Sequence, residues 1–155
     1  VLEADLEQWE PPVGAFDLVV SSLVLHYLPN LEAVVARAAR ALVPGGRLVC
    51  SVEHPVVTCT ADGWSAPERE TWLVDDYFAS GPRDTTWLKA RVIRYHRPLE
   101  DYVQALQAAG FVLDQLREAR PRPERFADAA AFRRRLRVPR FLVLAGHVPT
   151  PEPPR

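Results

Sequence analysis

Two short apolar runs on either side of one amphipathic helix constrain the fold most. Phe16-Asp17-Leu18-Val19-Val20 is β-branched and nearly continuously apolar, as in a strand buried on both faces. Leu31, Val34, Val35, Ala38 and Leu42 follow at helical spacing, with Asn30 as N-cap and Glu32 in the first turn. Pro44-Gly45-Gly46 then stops the helix and turns the chain into a second buried run, Arg47 to Val52. Strand, helix and strand in this order form a βαβ unit, which predicts a parallel sheet with a right-handed crossover.

The α/β pattern returns after a long interruption. Residues 54–96 show no helical period, and two strand-like runs, 70–78 and 85–95, flank the turn-forming residues 79–84. This predicts an inserted β-hairpin lid carrying Trp64, Trp72 and Trp87. From Arg97 a helix begins, with Pro98 at its first position, Leu99, Tyr102, Val103 and Leu106 on its buried face, and Gly110 at its end. Phe111 to Leu116 is a third strand, residues 124–137 a short Arg-rich helix, and Phe141 to Ala145 a last strand. Residues 1–149 therefore read as one α/β domain with the lid inserted, and residues 150–155 as a Pro-rich tail.

Composition narrows the function classes. At 155 residues the chain has room for one domain. No apolar run reaches the roughly 20 residues that span a bilayer, so no membrane partner is expected. Cys50 and Cys59 fit no metal or redox spacing; a reducing, cytoplasmic compartment suits them. Net charge is −1, but residues 1–78 hold twelve acids and four cations, and residues 79–155 hold eight acids and fifteen cations. The cluster Arg133-Arg134-Arg135 with Arg137 has only Phe132 among its aromatics, so it reads as a solvated helix face and no nucleic-acid partner is expected. The absence of methionine, even at position 1, predicts that the chain begins inside a longer protein.

Ligands of open α/β sheets bind outside the carboxyl ends of the strands. The first strand ends at Ser21-Ser22 and the second at Val52-Glu53-His54-Pro55, so His26, Tyr27, Glu53 and His54 should share one rim. Each also has a purely structural reading: His26 and Tyr27 as packing at a helix start, Glu53 and His54 as solvated strand ends. Tyr95-His96-Arg97, which joins the lid to the next helix, is either a capped helix start or a substrate contact.

Phe16-Asp17-Leu18-Val19-Val20-Ser21-Ser22-Leu23-Val24-Leu25-His26-Tyr27-Leu28, followed by Leu42-Val43-Pro44-Gly45-Gly46-Arg47-Leu48, resembles the class I S-adenosylmethionine-dependent methyltransferases. The likeness is greatest to their small-molecule, type 11-like branch. Tyr95-His96-Arg97-Pro98-Leu99, Ala109-Gly110-Phe111 and Pro139-Arg140-Phe141-Leu142 are similar to the last third of that family. The resemblance implies the C-terminal part of a Rossmann-like sheet, with strand order 4-5-7-6 and an antiparallel last strand. It implies S-adenosylmethionine as cofactor, with Asp5 and Leu6 at the adenine and Ser21 or Ser22 at the methionine part. It also implies a small-molecule acceptor faced by the residues from His26 onward. His26, Glu53 and His54 are then the candidate bases, and Tyr27, Tyr95, His96 and Arg97 the candidate acceptor contacts.

The family's Gly-rich loop and its ribose-binding acid have no counterpart in these residues, so cofactor binding by them alone is expected to be weak or absent. The first strand would then present an apolar edge. A truncated, non-catalytic module that pairs through this edge, as a homodimer for example, is the alternative reading.

Overall fold

The computed structural model describes residues 1–60, 71–87 and 89–151, with Trp87 described by its backbone alone. β1 (Phe16–Ser22) runs parallel to β2 (Leu42–Glu53), with α1 (Leu31–Ala41) between them in the chain. β5 (Val112–Glu118) and β2 both pair antiparallel with β6 (Phe141–His147), so β1, β2 and β5 point the same way. The sheet order is β1-β2-β6-β5, which is the order 4-5-7-6 implied by the resemblance.

Local chemistry accounts for the elements. The Asn30 side chain accepts from Ala33 N at 2.9 Å and caps α1, which buries Leu31, Val35 and Ala41. α3 (Leu99–Ala108) follows Pro98, which is the N-cap and not the first helical residue. Gly110 lies at φ 90°, while Phe111 N donates to Leu106 O and Gly110 N to Gln107 O, closing the helix in a left-handed cap. α1 and α3 bury their apolar faces against β2 and β6, where Leu48, Val52, Leu142 and Leu144 are almost fully covered. The thiols of Cys50 and Cys59 are free and buried.

Pro44-Gly45-Gly46 does not turn the chain away from the sheet. α1 already ends at Ala41, and the three residues form an irregularity inside β2, between the pairs Phe16–Leu42 and Leu18–Arg47. Gly45 sits at φ 80° and its N–H donates to Val148 O; a Cβ on Gly46 would meet Val43 O at 2.8 Å. The glycines serve a close backbone crossing.

The inserted hairpin exists, but in a different place. β3 (Gly81–Trp87) pairs antiparallel with β4 (Ala90–His96), so residues 81–84 lie in a strand and the reversal falls between Trp87 and Ala90. Residues 71–80 contain only a single bridge, at Trp72, and Trp64 lies outside the described residues. α2 (Pro55–Thr58) leads out of β2 toward this segment. The Arg-rich stretch is also shorter than expected: α4 covers Ala129–Leu136, capped by Asp128 accepting from Ala131 N, and buries no residue.

Residues 1–10 form no strand. A turn closes on Asp5, and Arg37 of α1 donates to Leu6 O and Glu7 O while Arg40 pairs with Glu10 at 2.6 Å. Among the described residues β1 has β2 as its only sheet neighbour, and Leu18 and Val20 are more than half exposed.

Candidate active site

β1 and β2 both end on one rim, and the backbone changes direction sharply there. Leu23, the residue after β1, lies at φ 55° and is held by its N–H donating to Ser51 O at 2.9 Å. A bulky residue in the left-handed region costs on the order of 1–2 kcal/mol, so the surrounding structure enforces this turn. Its effect is to split the rim into two concave sites. Ser21 and Ser22 line a cavity of about 270 Å³ with Leu6, Trp9, Val35 and Arg37. Leu23 lines a cleft of about 970 Å³ with His26, Tyr27, Glu53 and Phe141.

In the smaller cavity, neither serine hydroxyl has a hydrogen-bond partner among the described residues. Asp5 does not line this cavity; it is exposed beside the lining residue Leu6, with one carboxylate oxygen accepting from Glu7 N at 2.9 Å and the other unpaired. An apolar slot with two serines in its wall fits a flat heterocycle with a polar tail.

The larger cleft is organised by Glu53. Arg94 Nη1, brought in by β4, donates to Glu53 Oε2 at 2.7 Å, and both side chains are largely covered. Glu53 Oε1 has no partner among the described residues. His26 is 1% exposed. Its Nδ1 accepts from Glu53 N at 3.4 Å, which leaves the ring proton on Nε2, 3.8 Å from Glu53 Oε2. Burial lowers its pKa from the ordinary 6.5 to about 4; Glu53 opposes the shift, and Arg94 and Arg97 add to it. His26 is thus a neutral donor near pH 7 rather than a strong base. Tyr27 stacks on it at 4.3 Å between ring centroids, and burial raises the phenol pKa.

The other sequence candidates do not line this cleft. His54 is the N-cap of α2: its Nδ1 accepts from Val56 N and its Nε2 donates to Glu118 Oε1 at 3.0 Å. With both nitrogens engaged and the ring buried, it joins β2 to β5 as a structural clamp. His96 is fully buried between the Thr58 hydroxyl and Tyr77 O, each at 2.8 Å. Arg97 donates to Leu28 O and Pro29 O, with Tyr95 packed beneath its guanidinium at 5.7 Å. It therefore braces the loop after Tyr27. Arg94 and Arg140 escaped the sequence reading; the only local signal for Arg94 was its alternation with Ile93 and Tyr95 along β4. Among the described residues there is no cluster of potential metal ligands, and no helix is long and apolar enough to cross a membrane.

Comparison with known proteins agrees with this architecture. Residues 1–50 match the family model described as "Methyltransferase domain". The crystal structure of an S-adenosylmethionine-dependent methyltransferase from Mesorhizobium loti superposes with a TM-score of 0.84 at 34% identity, over 93% of this chain and 67% of that one. A Haemophilus influenzae protein is 29% identical over 114 residues, 70% of this chain and 45% of its own length. The nocamycin O-methyltransferase of Saccharothrix syringae is 36% identical over 107 residues, 65% of this chain and 36% of its own. The chain thus spans less than half the length of these two curated relatives. By its sheet order, its strand-end cavities and its likeness to the Mesorhizobium enzyme, the chain belongs to the class I S-adenosylmethionine-dependent methyltransferases.

Proposed function

We propose that these residues form the acceptor side of an enzyme that moves a methyl group from S-adenosylmethionine to a small molecule in the cytoplasm. One observation carries the reading: consecutive residues at the end of β1, Ser22 and Leu23, line two different sites. A donor in the first and an acceptor in the second would meet at that turn.

The first cavity suits the cofactor's adenosine end. Leu6 and Trp9 would flank the ring, the free Asp5 oxygen would accept from its amino group, and Ser21 or Ser22 would reach the amino-acid part. The bound sulfonium supplies an activated methyl, so the protein's task is placement and exclusion of water. Tyr27 and Phe141 would wall off the acceptor, and the Arg97 brace would hold the Leu28–Pro29 loop in place. Glu53 Oε1 is the group placed to take a proton from a hydroxyl acceptor, since the neutral His26 carries its ring proton on Nε2 and accepts from Glu53 N at Nδ1. The O-methylation in the name of the Saccharothrix relative agrees with a hydroxyl acceptor. The hairpin β3-β4 would act as a lid by supplying Arg94 to Glu53.

Equilibrium dialysis with labelled S-adenosylhomocysteine tests the cofactor assignment. Binding should be saturable but weak, because the 155 residues contain no Gly-rich loop and no ribose carboxylate. Leu6→Arg, which fills the slot, should abolish it. Wild-type affinity in Leu6→Arg, or no saturable binding by the wild type, would contradict the assignment.

A further inference from the structure

The larger cleft has an unbalanced charge. Arg120, Arg122, Arg125, Arg135 and Arg140 line it, whereas among the described residues Glu53 is its only acid and is already paired with Arg94. None of the five guanidiniums has a carboxylate partner among the described residues. Of the described acids closest in sequence to these arginines, Glu118 is held by His54, Asp128 caps α4, and Glu124 does not line the cleft. Arg140 is half-buried over the Trp72 ring at 5.4 Å. Burial and then the neighbouring Arg135 charge push its pKa down. Guanidiniums gathered from the β5–α4 connection, α4 and the start of β6 repel one another, and an anion bound among them would relieve that repulsion. Leu23, Val138 and Phe141 add apolar lining to the same cleft.

Building on the acceptor-cleft reading above, we infer that the methyl acceptor is an oxyanion: an apolar body bearing a carboxylate or a phosphate monoester, held by the arginine arc. The planar guanidinium fork pairs with either group in two parallel hydrogen bonds. Such an arc would orient the acceptor with its anionic end toward α4 and its reactive end toward Glu53 and the Ser22–Leu23 turn.

Calorimetric titration with benzoate, phenyl phosphate and the neutral benzamide tests this and separates the two oxyanions. The preferred anion should bind at least about tenfold more tightly than benzamide, as charged hydrogen bonds do over neutral ones. The preference should fall to within about twofold in the double variant Arg122→Gln/Arg125→Gln, and should shrink as salt is raised. Arg133→Gln, on α4 but outside the cleft, should leave it intact. Equal binding of anion and amide, no binding of any of the three, or an unchanged preference in the double variant would overturn the inference. So would a uridine oligomer that binds at physiological salt through these arginines more tightly than phenyl phosphate. S-adenosylhomocysteine titrated into the wild-type protein keeps the two readings apart. Cofactor binding with no anion preference sinks only the oxyanion, and anion preference without cofactor binding sinks the methyl-transfer reading.

Discussion

Truncating Glu53 to alanine should destabilise the fold by about 3–5 kcal/mol, the usual cost of leaving a buried partner charge uncompensated. The Arg94 side chain is only 9% exposed, its Nη1 bond to Glu53 is 2.7 Å long, and its Nε has no partner. Without the carboxylate, the guanidinium stays under the rim with nothing to balance it. Glu53→Gln should cost less, because an amide oxygen can still accept the bond. Glu53→Leu combined with Arg94→Met should recover most of the loss, since an apolar pair of similar volume removes both charges. Urea unfolding of the four proteins checks this. A double variant no more stable than Glu53→Ala would show that the pair is not the cause. In the complete enzyme, Glu53→Gln should also slow transfer to a hydroxyl acceptor by about 10²–10⁴-fold, the range for loss of a positioned base.

Stability should also fall on mild acidification. His26, His54 and His96 are all buried, and burial lowers the pKa of each. In the unfolded chain they titrate near 6.5, so below that pH the unfolded state takes up protons that the folded state refuses. Their contribution is complete above about pH 6.5 and is lost as the pH falls toward the folded values. For His26, folded at about 4, the loss amounts to about 3 kcal/mol across that interval. Urea midpoints should therefore drop between about pH 7 and pH 4.5, and His26→Asn should flatten part of the slope. A midpoint that is constant or rises on acidification would contradict neutral burial of these rings.

Features set by neighbouring residues were legible in the sequence. Asn30 three residues before Ala33, Gly110 after α3, and the apolar runs that begin at Phe16 and Arg47 each act within a few residues, and they mark β1, α1, β2 and α3. The hairpin was misplaced for a physical reason. Gly81 and Pro82 carry the usual turn signals, yet they begin a two-stranded ribbon, while Lys89, a residue with no turn preference, lies in the reversal at φ 68°. Strand topology sufficed to bring His26, Tyr27 and Glu53 to one cleft. It could not reveal that Glu118, 64 residues away, would engage His54, or that Thr58 and Tyr77 would enclose His96. Of the arginine arc, only Arg135 belongs to the cluster that reads as a solvated helix face in the sequence; Arg120, Arg122, Arg125 and Arg140 lie on separate segments that only the folded sheet brings together with it.

In the proposed enzyme a donor cavity and an acceptor cleft meet at the Ser22–Leu23 turn. Amide chemical-shift mapping of the labelled chain tests it most directly, with S-adenosylhomocysteine and then the preferred anion added to one sample. The account predicts two adjoining sets of shifts: Leu6, Trp9, Ser21 and Ser22 for the first ligand, and Tyr27, Glu53, Arg122 and Arg140 for the second, with Leu23 moved by both. Cofactor shifts confined to the β3-β4 hairpin, or anion shifts confined to Arg133 and Arg134 on the outer face of α4, would contradict it.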